Sequence, residues 1–196
     1  MLFNAIKWDE IFLNLGINIL SGIIVSAIFL FYFVNQLRPR FIISKHICRI
    51  NEIREDLKGE KRYSFKIVNR SRYTAFDAKI ELYLMKPSQH TESRHNLIMK
   101  EISIRTSNID SIPKYRKKYQ VKDPNALFAI LIHTNEDMET ALSEPNTYLM
   151  LKVTVRHGLS TLAKTITCKF DGNNICDNSK FGFASNVNTI PLSQTI

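Results

Sequence analysis

The sequence predicts a mainly β protein, with an N-terminal single transmembrane helix followed by an immunoglobulin-like antiparallel β-sandwich. Three observations carry that expectation. Residues 11–34 are apolar or neutral and contain no charge. Beyond Pro39 the apolar residues switch to alternation with polar ones, the period of a half-buried strand. Turn-forming residues then divide the remainder into about seven short runs, the number a sandwich of this type uses. The 196 residues suit one domain and an appendage. The expected divisions are 1–37 (N-terminal segment and helix), 38–187 (a cytoplasmic β-sandwich) and 188–196 (a C-terminal tail).

The helix comes first. Ile11–Val34 is 24 residues long. At about 1.5 Å per residue it reaches roughly 36 Å, enough to cross a hydrocarbon core of about 30 Å with some tilt. A signal peptide fits poorly: the run exceeds an h-region of about 7–15 residues, and Asp9 and Glu10 precede it. The only basic side chain before it is Lys7, whereas Arg38, Arg40, Lys45 and Arg49 follow. Basic flanks stay on the cytoplasmic side, so the expected topology is a single pass through the cell inner membrane, N-terminus outside. Cys48, Cys168 and Cys176 are odd in number and widely spaced, which suits a reducing compartment.

The β elements follow in order. Phe41–Ile50 reads as a strand. In "RYSFKIVNR" the residues Tyr63, Phe65 and Ile67 share a face, and Asn69 to Arg72 suit a turn. In "AFDAKIELYLM", Ala78, Ile80, Leu82 and Leu84 alternate with Asp77, Lys79, Glu81 and Tyr83. Leu97–Arg105, Ala126–Thr134, Thr147–His157, Leu159–Phe170 and Lys180–Val187 complete the set, with a hairpin expected at His157-Gly158. Ser107–Lys122 is the least strand-like stretch. Asn135–Glu144 is the one helical segment of this part, with Asn135 as its expected cap. Residues after Asn188 read as a loose end.

Taken in order, "FIISKHICRI", "YSFKIVNRSRYTAFDAKIELYLMK", "NALFAILIHTNEDMETAL", "YLMLKVTVRHGLSTLAKTITCKF" and "KFGFASNV" follow a membrane helix and a basic-Pro-basic junction. This arrangement resembles the inner membrane helix and cytoplasmic domain of inward-rectifier potassium channels, over about residues 17–187. The resemblance implies an immunoglobulin-like cytoplasmic domain and a homo-oligomer, a tetramer if the family's fourfold ring carries over. It also implies contact between Arg38 and Arg40 and anionic lipid headgroups. The family's selectivity filter, a ring of backbone carbonyls, has no counterpart here, so the chain alone is not expected to be a potassium channel. After His133 the family's Ile-Asp-x-x-Ser-Pro is replaced by Thr134 to Glu139, and its closing Trp-Gly by Phe181-Gly182.

On the helix, Asn14, Asn18 and Ser21 share a face, with Gly22 adjacent and Ser26 four residues on. Small and amide-bearing residues on one stripe let helices approach and hydrogen-bond; the competing readings are an interfacial position and a pore lining. Arg38, Arg40, Lys45 and Arg49 are candidate headgroup ligands, although a topology signal alone would also account for them. In "PKYRKKYQVK" the basic residues Lys114 to Lys122 interleave with tyrosines and read as a solvated loop. The net charge of +9 raises nucleic acid as a partner, but the basic residues are scattered and no zinc-finger, KH or RNP pattern occurs. His46 and Cys48 make at most two metal ligands, and no phosphate loop or nucleophile elbow appears. Neither an enzyme nor a cofactor or metal site is expected. The expected function is that of a self-associating, non-catalytic membrane protein whose domain senses a ligand, lipid or partner. A membrane effector or minimal pore would fit, and the alternative is a monomeric adaptor docking a soluble protein.

Overall fold

A computed structural model describes residues 8–37, 39–51, 61–88, 97–116, 127–157 and 162–192. The chain divides into two compact units, Met1–Arg38 and Pro39–Ile196. The first is helix α1 (Trp8–Leu37), of which Phe12–Leu37 is long and apolar enough to cross a membrane, with a mean hydropathy of 2.3. Its large side chains from Phe12 to Phe33 are exposed on every side. Such a helix satisfies its own backbone and lacks an apolar core to pack on, which is what a lipid environment permits. Phe29 and Phe33, one turn apart, stack at 5.8 Å. Pro39 ends the helix, because a proline disfavours helical backbone in the residue before it.

The second unit contains β1 (Phe41–Ile43), β2 (Ile47–Asn51), β3 (Lys61–Asn69), β4 (Ala75–Pro87), β5 (Leu97–Ile102), β6 (Asn108–Ile112) and β7 (Ala129–Thr134). Helix α2 (Met138–Leu142), β8 (Tyr148–His157), β9 (Ala163–Phe170), β10 (Ile175–Asp177), β11 (Ser179–Phe181) and β12 (Thr189–Pro191) follow. Two sheets form. In the first, β3 pairs with β7 on one side and with β1 and β2 on the other, and β10 pairs with β2. In the second, β4 pairs with β5 and β6 on one side and with β8 on the other, and β9 pairs with β8. One core joins them: Tyr63, Phe65, Ile67 and Ile132 from the first sheet meet Ile80, Leu82, Leu149, Leu151 and Val153 from the second. Phe65 and Phe170 meet edge-to-face at 5.4 Å across that core.

Several expectations are refined. The run Phe41–Ile50 is a broken strand. Five residue steps from Ile43 to Cys48 face only three from Ile67 to Ser64, so Lys45 and His46 bulge out. The Ser44 amide donates to the Lys66 carbonyl at 2.9 Å and its hydroxyl to the His46 carbonyl at 2.8 Å, closing the bulge. Within Ser107–Lys122, Asn108–Ile112 is a strand, paired with the lower half of β4; residues 117–122 lie outside the described set. The helix is shorter than expected and is capped by Asp137, not Asn135: the Asp137 carboxylate accepts from the Glu139 and Thr140 amides. The β8–β9 pair is antiparallel, as a hairpin requires, though Gly158 to Thr161 are not described. Lys180–Val187 is no continuous strand. Ser179–Phe181 instead pairs with Thr189–Pro191, so the stretch expected as a loose end contains β12. β10 runs parallel to β2, the exception to the antiparallel pattern, because the capped turn at Asp171 carries the chain from the second sheet to the edge of the first.

Strand β3 departs from the half-buried expectation most. Ser64, Lys66 and Val68, on its outer face, are as buried as Tyr63, Phe65 and Ile67. The C-terminal segment supplies the cover. Val68, Phe128 and Ala184 form a second small cluster with Tyr115, Ala129 and Val187. Lys66 Nζ donates to the Gly182 carbonyl at 2.5 Å and the Asn186 carbonyl at 2.8 Å. Gly182 leaves room for the Asn186 side chain, which would have to shift for a Cβ, since its carboxamide carbon would lie 2.6 Å away.

Burial pushes the Lys66 ammonium down from its ordinary 10.5 to about 8. Below about pH 8 folded and unfolded chains both hold this proton. Between about pH 8 and 10.5 the unfolded chain binds a proton that the folded one has lost, so this residue makes stability rise with pH, by up to about 3 kcal/mol. Buried Cys48 and Tyr63, both pushed up, act in the opposite sense at the alkaline end, so the rise is expected in the difference between wild type and Lys66→Met when both are unfolded chemically across that range.

Candidate functional site

The end of the β domain at Arg40 gathers five basic residues. Asn69, the last residue of β3, is fully buried. Its Nδ2 donates to the Ile112, Pro113 and Tyr73 carbonyls at 3.1, 3.0 and 3.2 Å, and its Oδ1 accepts from the Ser71 amide at 2.8 Å. The amide thus fixes the β3–β4 turn against the end of β6. The turn then holds the start of the domain: the Arg40 amide donates to Ser71 Oγ at 2.8 Å, and the Arg70 amide donates to the Arg40 carbonyl at 2.6 Å. The Tyr115 amide donates to the Ser71 carbonyl at 3.0 Å. The Arg70 guanidinium lies 5.2 Å above the Tyr115 ring, which itself meets Phe128 edge-on at 5.3 Å.

Three segments distant in sequence, 39–40, 69–74 and 113–116, therefore converge. They bring together Arg40, Arg70, Arg72, Lys114 and Arg116, all exposed, and contain no Asp or Glu. Such a surface can bind phosphate or carboxylate groups through several charge-assisted contacts at once.

Of the residues singled out from sequence, Arg40 belongs to this patch and Arg38 lies outside the described residues. Lys45 is exposed on the bulge, next to Cys168 of β9. Arg49 lies farther along the same edge in an ion-pair cluster, with Glu139 and with Asp177 Oδ2 at 2.7 Å; Lys61 joins Glu139 at 2.6 Å. The structure thus spaces Arg40, Lys45 and Arg49 along the bulged β1–β2 segment and brings Arg70, Arg72, Lys114 and Arg116 to the Arg40 end. Arg70 and Arg72 were visible only as turn residues, and Lys114 and Arg116 only as loop. Nothing local in the sequence joins them, because Asn69 makes the connection through backbone carbonyls. Asn14, Asn18, Ser21, Gly22 and Ser26 are all exposed on α1, and the backbone at Gly22 is open to close approach. The Ser21 hydroxyl donates to the Asn18 carbonyl at 2.9 Å.

Elsewhere, a bulge in β4 places Asp77 at a φ of 48° beside an open cavity of about 510 Å³, which Lys79, Asn108, Asp110, Thr154 and Arg156 also line. Charges of both signs meet there, including Asp77 and Arg156 at 3.5 Å. His133 lies opposite Ser64, with Nδ1 and Oγ 2.9 Å apart. Ser64 is buried, so its hydroxyl is not open to a substrate. No group of three or more His, Cys, Asp or Glu residues placed to hold a metal ion occurs among the described residues.

No model of a known protein family matches this sequence, and no curated protein matches it.

Asn69→Ala should leave three carbonyls and the Ser71 amide without their partner. It is expected to lower the unfolding free energy by about 2–3 kcal/mol in guanidinium titrations followed by circular dichroism. It should also speed hydrogen exchange at the Arg40 and Arg70 amides, which the turn protects.

Proposed function

We propose that this chain is a single-pass, self-associating, non-catalytic membrane protein whose β domain senses anionic lipid headgroups and passes that contact to the membrane helices. The convergence of Arg40, Arg70, Arg72, Lys114 and Arg116, without a carboxylate in their segments, carries the reading. Arg40 follows the last helical residue, Leu37, by three positions, a reach of at most about 11 Å. That reach keeps Arg40 close to the end of a helix lodged in a bilayer, and each basic residue that meets a phosphate is worth about 1 kcal/mol. The basic flank after α1 supports an N-terminus outside and a β domain in the cytoplasm of a cell whose inner membrane holds the helix. The likeness in element order to inward-rectifier channels favours a homo-oligomer with an immunoglobulin-like domain, as does the stripe Asn14, Asn18, Ser21, Gly22 and Ser26.

One observation favours a second reading, a monomeric anchor docking a soluble protein. Leu97, Ile98 and Met99 of edge strand β5 are 47%, 52% and 57% exposed, apolar surface that a partner strand would cover.

Purified chain in micelles should bind dioctanoyl phosphatidylglycerol in preference to the choline lipid. Arg70→Gln with Arg72→Gln should weaken that binding by about 2 kcal/mol, roughly thirtyfold. Equal affinities in the double variant, or for the two lipids, would remove the headgroup reading. Chemical cross-linking in detergent is expected to trap oligomers of wild type and fewer of Asn14→Leu with Asn18→Leu. A monomer at every protein concentration would favour the adaptor.

A further inference from the structure

The two thiols at the edge of the first sheet are the remaining chemistry that the lipid reading leaves unused. Cys176 of β10 and Cys48 of β2 are direct register partners in the parallel pair. Partners across a sheet project to one face, here the outer face, because the flanking Ile47 and Ile175 pack into the core. Adjacent strands lie about 4.8 Å apart, inside the span of roughly 4.4–6.8 Å between α-carbons that a disulfide bridges. Both thiols are free. β10 is three residues long and pairs with no strand but β2 among the described residues, so it can make the small approach that S–S bonding demands.

The two environments differ. Cys48 is fully buried, and burial pushes its thiol up to about 11. Cys176 is partly exposed, and its sulfur accepts a hydrogen bond from Thr189 Oγ1 at 3.8 Å. The Lys66 ammonium lies near enough to Cys48 to favour its ionised form once a proton must leave. The Ser179 hydroxyl donates to the Cys176 carbonyl at 2.7 Å, and its side chain also bonds to Cys48. The dithiol therefore lies where β10 passes into the β11–β12 cover.

We propose that Cys48 and Cys176 are a reversible oxidation site for hydroperoxides, whose product is a disulfide fastening β10 to β2. The Cys176 thiolate attacks the terminal oxygen of the hydroperoxide. The O–O bond breaks, the alcohol or water leaves, and Cys176 becomes a sulfenic acid. Cys48 then gives up its proton and displaces the hydroxyl from the Cys176 sulfur, forming the S–S bond and releasing water. Two thiols and one hydroperoxide thus yield one disulfide, one alcohol (or water) and one water. A dithiol reductant reverses the state, as a transient disulfide in a reducing compartment requires. The bond would fasten β10, from which the chain runs on into the segment that Lys66 and the Ala184 cluster hold. It rests on the β domain and not on the membrane or lipid reading.

The test is hydrogen peroxide treatment of the full-length chain in micelles at neutral pH, followed by alkylation, proteolysis and mass spectrometry. The expected product is a linked peptide pair containing Cys48 and Cys176, lighter by two hydrogens, abolished by dithiothreitol, with Cys168 still alkylated. Cys48→Ser should stop at a Cys176 sulfenic acid that dimedone traps, and Cys176→Ser should leave Cys48 unmodified. The wild-type measurement decides the matter even where a variant fails to fold. Three results would overturn the assignment: Cys176 accumulating as sulfenic or sulfinic acid without the link, a link through Cys168, or both thiols staying alkylatable while added glutathione is fully oxidised.

Discussion

The carboxamide of Asn69 is the constraint on which the proximal half of the domain depends. It is fully buried where three carbonyls and one amide converge, and it offers two donor hydrogens and an acceptor to them. An aspartate could not replace it, because a carboxylate would face those carbonyls with no proton to give. A leucine would fill the space and leave every one of the polar groups unpaired, at about 1–3 kcal/mol each. Through Ser71 the same residue fixes the backbone at Arg40, where the β domain begins.

A similar logic holds the opposite face of β3. A strand covered on both sides needs partners for whatever polar groups its alternation places outside. Lys66 is such a group, and two backbone carbonyls of the C-terminal segment receive its ammonium. A buried cation is costly unless hydrogen-bonded. The cover is therefore specified at one register, since sliding it by a residue would remove one carbonyl or both. Sheet and cover thus act as one packed body. The weak point is β10, a three-residue strand on a parallel edge.

Strong periodicity was legible in the sequence. β3, β4, β7, β8 and β9 fall where alternation puts them, because burial of one face selects the alternating residues whatever the partner strand is. The apolar run of α1 was equally plain, since hydropathy needs no tertiary context. What failed to show depends on contacts between distant segments. Lys45-His46 bulges because Ser44 finds Lys66, and no period reveals that. Asn108–Ile112 looks polar because an edge strand may face solvent on both sides. Asp137 outcompetes Asn135 as a cap by also bonding the Thr140 hydroxyl at 2.6 Å. The basic patch was the least legible feature: its five residues come from three segments, and the residue that assembles them is neutral.

The distribution of charge matters more than its sum. Elsewhere in the domain several cations are matched: Arg49 and Lys61 by Glu139, Lys79 and Lys152 by Glu81, Lys86 by Glu144. The segments around Asn69 hold cations only. A single helix fixes how far a domain can stray from a bilayer but not which face it turns to it. Under the membrane reading, an anionic leaflet supplies that second restraint. Five residues at about 1 kcal/mol each outweigh the thermal energy of about 0.6 kcal/mol severalfold, and the charges lie within a Debye length of about 8 Å of the phosphates only when the Asn69 end faces inward. On that reading, tether and patch together restrict the orientation. Added salt should loosen the orientation without releasing the anchor, because screening weakens the patch and leaves the apolar burial of α1 untouched.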